Sequence, residues 1–107
     1  MNEAVARYQK LLELYPNNEM ARFSLGKAYF DSGQFAEAKE HFELVLARKP
    51  DWMVVQILMG KCELAVGDRE SATAAFERAK QLALEQKHDG PLAEIEQLLV
   101  ELHGYDA

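Results

Sequence analysis

Apolar side chains recur along this chain at helical intervals. Residues 2 to 15 place Ala4, Val5, Tyr8, Leu11, Leu12 and Tyr15 on one stripe, the spacing of an amphipathic helix. Pro16 stops it, because proline cannot continue a helix and disfavours helical geometry in the residue before it. Asn17 or Asn18 can cap the next helix. This second helix is predicted from Glu19 to Ser32, with Gly33 as a left-handed cap just past its end. Gln34 opens a third, with Glu37 placed to cap reciprocally, and Phe35, Ala38, Phe42, Val45 and Leu46 share one face. Pro50 stops that helix. Asp51 is a good N-cap for a fourth, Trp52 to Val66, which Gly67 ends. Asp68 caps a fifth, Arg69 to Lys87, with Ala72, Ala75, Phe76, Ala79 and Leu82 turned inward. His88, Asp89 and Gly90 read as a break. Pro91 suits the first turn of a sixth helix, striped by Leu92, Ile95, Leu99 and Leu102 with Leu98 beside it. Gly104 ends it, and Tyr105 to Ala107 reads as a frayed tail. No strand pattern competes, and no linker divides the chain.

The stripes also repeat one another at an offset of 34 residues. Ala4, Ala38 and Ala72 are in step, as are Tyr8, Phe42 and Phe76, then Leu11, Val45 and Ala79. Leu25 pairs with Met59, Gly26 with Gly60, Gly33 with Gly67 and Pro16 with Pro50. A fixed period of this length means stacked supersecondary units, here two antiparallel helices joined by a short turn. Gly26 and Gly60 fall inside predicted helices, where glycine costs about 1 kcal/mol relative to alanine. Close approach of the paired helix explains them. Ala38 and Ala72 are the expected small partners, with Leu25 and Tyr29 filling the space beside the crossing. Phe42 and Phe76 are expected to wedge between one unit and the next.

Leu25, Gly26, Tyr29, Ala38, Phe42 and Pro50 resemble the tetratricopeptide repeat pattern W-x2-L-G-x2-Y, A-x3-F, P. Arg22 stands where the pattern has tryptophan. The next unit keeps Gly60, Ala72 and Phe76 but has Gln56, Met59, Glu63 and Leu84 at the other places. The resemblance implies an all-α fold: a right-handed superhelical stack of antiparallel helix pairs, about six helices in one domain over residues 1–107. Residues 1–18 match half a repeat, 19–52 and 53–86 are repeats, and 87–103 look like a solvating cap helix.

The resemblance further implies a concave groove lined by the first helix of each unit. Its residues are Met20, Phe23, Lys27, Phe30 and Asp31, then Val54, Ile57, Lys61, Leu64 and Ala65. Both sets fall at helical intervals and point away from the Gly26/Tyr29 side. The set is apolar for a water-facing surface, which is the mark of a docking site. Two other readings stand beside it: some of these residues are core, or the sixth helix or tail covers them. Some members of the family hold chaperone C-terminal carboxylates with lysine, asparagine and arginine. Phe23, Lys27 and Leu58 occupy the corresponding positions here, so an apolar or amphipathic segment is the better fit. The implied function is non-catalytic binding of a protein or peptide partner. The alternative is self-assembly, such as a homodimer, through the groove or through the first helix, where Val5, Leu12 and Tyr15 are either uncovered or buried by their neighbours.

Composition narrows the partner class. With 18 acidic and 12 basic side chains the formal net charge is −6. Nucleic acid and anionic membrane need a concentrated basic face, and the adjacent Arg48 and Lys49 read as a solvated helix end. One cysteine, Cys62, allows no internal disulfide and suits a reducing compartment. No stretch approaches the roughly 20 apolar residues that span a bilayer, and the N-terminus lacks a signal-like run, so a cytoplasmic setting is the expectation. His41, His88 and His103 are dispersed and read as surface histidines. Glu40-His41 lacks a second histidine four residues on, and Cys62 reads as a packing residue. No catalytic residue, cofactor or metal is expected. Glu37, Glu40 and Glu43 read as a solvated face. Trp52 reads either as packing over the seam between units or as a partner contact.

Overall fold

The computed structural model describes residues 2–104. These form six helices: α1 (Glu3–Leu14), α2 (Glu19–Asp31), α3 (Phe35–Arg48), α4 (Met53–Ala65), α5 (Arg69–Gln86) and α6 (Asp89–His103). There is no strand among the described residues. The chain gathers into two compact units, Met1–Pro50 with α1 to α3 and Asp51–Ala107 with α4 to α6. Tyr105 to Ala107, read from the sequence as a tail, lie outside the described residues.

Local chemistry sets most of the helix ends. Asn18 Oδ1 accepts from the Ala21 N–H at 3.0 Å and Asp68 Oδ1 from the Ser71 N–H at 3.0 Å, each satisfying one of the free donors of a first turn. Asn2 does the same for α1, accepting from Ala4 and Val5. Gly33 (φ +79°) and Gly67 (φ +89°) are left-handed, a conformation that glycine adopts without steric cost. The bonds around them match: Gln34 N–H to the Tyr29 carbonyl at 2.9 Å, and Asp68 N–H to the Glu63 carbonyl at 2.8 Å. The 34-residue period thus extends to the backbone.

Three expected ends differ. Gln34 stands at the N-cap of α3 but makes no side-chain cap bond, so the reciprocal box with Glu37 does not form. Trp52, not Asp51, is the N-cap of α4. The break before α6 is shorter than the sequence suggests: Lys87 is left-handed at φ 58° and the helix already begins at Asp89. Pro91 is then the third helical residue. It is tolerated there because the first-turn N–H groups have no intrahelical partner.

In the first unit, Leu25 and Ala28 of α2 pack on Val5 of α1, with Ala4, Tyr8, Leu12 and Tyr29 around them. Tyr29 ties all three helices together. Its hydroxyl accepts from Gln9 Nε2 at 2.9 Å, and its ring stacks on His41, centroids 5.6 Å apart. In the second unit, Met53 and Ile57 of α4, Ala72, Phe76, Ala79, Leu82 and Ala83 of α5, and Ile95, Leu99 and Leu102 of α6 form one core.

The two interior glycines do mark close helix approach, but the partner is not the expected alanine. A methyl group built on Gly60 would lie 2.7 Å from Phe76 Cδ1 and 2.9 Å from Cζ, with Cε1 nearer still. On Gly26 it would lie 2.8 Å from Phe42 Cε1 and 3.3 Å from His41 Cβ. Each phenylalanine lays its ring into the notch that a glycine of its own repeat leaves open, and Phe76 also joins the core with Ile95 and Leu99 of α6, the helix that follows its repeat.

Candidate functional site

With Gly26 and Leu25 fixed against neighbouring helices, the helical period decides which α2 side chains stay accessible. Met20 is 59% exposed and Asp31 is exposed, while Phe23, Lys27 and Phe30 are half-buried. Phe23 leans on Phe42 at 6.2 Å between centroids. Phe30 meets Phe35 edge-on at 5.4 Å, and the Lys27 ammonium lies 5.9 Å from the centre of its ring. Lys27 is also bonded to Asp31 at 2.7 Å, one helical turn on. The five residues read from the sequence therefore form one face: apolar along Met20, Phe23 and Phe30, with a neutralised charge pair at one end. Beside it, α1 and α2 enclose a depression of about 230 Å³ lined by Ala4, Tyr8, Phe23, Ser24, Lys27, Ala28 and Asp31.

The corresponding face of α4 is partly closed. Val54 and Leu64 are 47% and 40% exposed and Ala65 is exposed. Ile57, expected to face water, is buried in the core shared with α6. Lys61 reaches across to Glu94 of α6 at 3.6 Å. The cause is α6, whose Ile95, Leu99 and Leu102 stripe must be buried and takes Ile57 with it. Leu58, weighed as a possible ligand-clamp position, is buried as well.

Two features escaped the sequence reading. His41, taken for a surface residue, is half-buried under Tyr29. Burial, and secondarily the Arg22 charge, pull its pKa below 6.5, against a smaller opposing pull from Glu40. Glu63, which replaces the tyrosine of the first repeat, is buried. On α1, where the sequence left Val5, Leu12 and Tyr15 either uncovered or buried, Val5 is buried, Leu12 is half-buried and Tyr15 is exposed, with Leu11 and Leu14 exposed beside it. Trp52 is half-buried at the start of α4, and Cys62 is fully buried. Among the described residues no three His, Cys, Asp or Glu side chains converge on a metal-sized site, and no helix is long and apolar enough to cross a membrane.

Paired helices with a glycine–ring notch in each pair, closed by a helix that buries the final stripe, define a short all-α helical-repeat protein. The tetratricopeptide repeat profile matches residues 1–62, and the chain belongs to that family. It is 34% identical over 88 residues to the TPR repeat-containing protein PA0015 of Pseudomonas aeruginosa, covering 82% of each chain. The solution structure of protein BPP2914 from Bordetella parapertussis superposes with a TM-score of 0.88 at 29% identity, over 100% of this chain and 93% of that one. PcrH, solved in complex with the chaperone binding region of PopD, shares the fold at 19% identity and a TM-score of 0.86, over 96% of this chain and 78% of that one.

Proposed function

We propose that this protein is a non-catalytic interaction module that docks a neutral to basic amphipathic segment of another protein on the Met20, Phe23, Lys27, Phe30 and Asp31 face of α2. The observation that carries the reading is the exposure of Met20 next to two half-buried phenyl rings on a helix whose opposite side is fixed by the Gly26 notch. Apolar surface of this kind, preformed by packing, lowers the ordering cost of binding. A few anchors at helical or extended spacing are enough to engage it. The PcrH fold, solved in complex with a segment of PopD, supports a segment as the ligand.

Charge selects within that class. The sole cation of the face, Lys27, is already paired with Asp31, and the whole chain carries −6. A carboxylate-rich ligand meets no free cation here and a repulsive long-range field. On α4, Val54, Lys61, Leu64 and Ala65 offer a smaller face, because Ile57 is enclosed and Lys61 is engaged by Glu94.

The test is selection of binders from a random peptide library on the full chain, with affinities then measured against Met20→Glu. The reading expects enriched peptides with apolar anchors and few acidic residues, bound at least tenfold more weakly by Met20→Glu. Binders that ignore Met20→Glu, or that are predominantly acidic, contradict it.

A further inference from the structure

α2 ends on a charge that opposes the helix. Asp31 is its last residue, and its last turn holds no basic side chain. A carboxylate there meets the negative end of the helix dipole, where cations are favoured. Its partner Lys27 stands one turn before it, the less favourable order for a charged pair on a helix. The two side chains are 43% and 59% exposed, so the pair adds little to stability.

What the arrangement does make is a place for a cation. The Lys27 ammonium lies 2.7 Å from Asp31 Oδ1 and 5.9 Å from the centre of the Phe30 ring. Asp31 Oδ2 takes part in no bond among the described residues. Phe35 of α3 backs the Phe30 ring edge-on, and Lys27, Phe30 and Asp31 all belong to α2, so the seat is complete within one repeat. The next repeat has Lys61 in step with Lys27, but Ala65 for Asp31 and Leu64 for Phe30. There the lysine meets Glu94 of α6 at 3.6 Å instead. The lysine follows a carboxylate; the seat itself is made by Asp31 and Phe30.

We infer that Asp31 selects the partner by charge: the carboxyl end of α2 seats an arginine of the docked segment, and Lys27 holds that seat in the free protein. This rests on docking at the α2 face and adds the residue that the docked segment must carry. Arginine fits better than lysine, because its planar guanidinium can engage both carboxylate oxygens and lie against the ring. Lys27, weakly paired on a flexible stem, turns out to water as the guest enters. Copies of a chain with net charge −6 repel one another, whereas a basic segment of a different protein is attracted. Asp31 thus governs specificity while Met20 anchors the apolar part, so the two can fail separately.

Peptides selected from a random library on the full chain supply the probe. The tightest binder is made with arginine or with uncharged citrulline at its enriched basic position. Both forms are titrated by fluorescence anisotropy against the parent, Asp31→Asn and Lys27→Met chains, whose melting temperatures should match. The expected result is that citrulline weakens binding to the parent at least tenfold but to Asp31→Asn no more than twofold. Lys27→Met, which removes the resident cation, should bind the arginine peptide at least threefold more tightly. Equal losses on the parent and Asp31→Asn, no gain in Lys27→Met, or enriched peptides without a basic residue overturn the inference. If Met20→Glu still weakens those peptides tenfold, docking on α2 stands without it. Indifference to Met20→Glu with the Asp31 coupling intact overturns the apolar docking face and leaves the seat. A library that yields no binder overturns both. A dimer at high concentration that Asp31→Lys abolishes in light scattering assigns the seat to a second copy and overturns the choice of occupant.

Discussion

Replacing Gly60 by alanine sets two opposing effects against each other. Helix propensity alone favours the change by about 1 kcal/mol, since Gly60 lies inside α4. Packing opposes it. The new methyl would sit 2.7 and 2.9 Å from two carbons of Phe76, about 1 Å inside the usual contact distance between carbons. The ring has nowhere to retreat: Phe76 is fully buried among Ala72, Ala79, Leu82 and Ile95. Overpacking of a closed core costs up to about 3 kcal/mol, so a net loss of about 2 kcal/mol is expected. In a domain of this size that lowers the melting temperature by about 8 °C. Urea unfolding followed by circular dichroism measures it. Phe76→Leu should soften the clash, so a double-mutant cycle should return at least about 1 kcal/mol of favourable coupling. A Gly60→Ala chain that is as stable as the parent, or more stable, would show that propensity wins and that the notch does not position the helices.

Gly67→Ala meets no atom within 4 Å, yet its φ of +89° should cost about 1 kcal/mol in the same unfolding assay, separating backbone strain from crowding. Ile57→Glu buries a carboxylate in the α4–α6 core and should cost at least about 3 kcal/mol, whereas Met20→Glu on the exposed face should stay within about 0.5 kcal/mol of the parent; thermal melts distinguish them. For His41 the folded pKa lies below the unfolded 6.5, so the unfolded chain binds the proton more readily. The histidine's stabilising effect is therefore present above pH 6.5 and declines as pH falls through 6.5 toward the folded value. Melting temperatures measured from pH 7.5 to 5 should fall, and less steeply in His41→Gln.

The pairing of helices was legible because glycine and aromatic positions recur at one period, and that recurrence is a property of sequence. So were the left-handed glycines, the caps at Asn18 and Asp68, and the stripe of α6. What α6 lies against was not legible. A helical wheel gives the direction of Ile57 but not the neighbour waiting there, and the α6 residues of the core it joins, Ile95, Leu99 and Leu102, lie 38 to 45 positions on. His41 escaped for the same reason: its surroundings are mostly polar in sequence, and only the tertiary position of Tyr29 buries it. The cap expected at Asp51 falls one residue later, at Trp52, whereas Gln34 holds its N-cap position without a side-chain bond. On the α2 face, the spacing placed Met20, Phe23, Lys27, Phe30 and Asp31 together, and the exposure of Met20 comes from which side the Gly26 notch holds inward.

The most direct measurement is a chemical-shift map of the full chain titrated with a library-selected peptide. Perturbations concentrated on Met20, Phe23, Lys27 and Phe30 are the predicted result. Perturbations confined to the charged outer surface at Glu37, Glu43 or Glu77, with α2 silent, would contradict it.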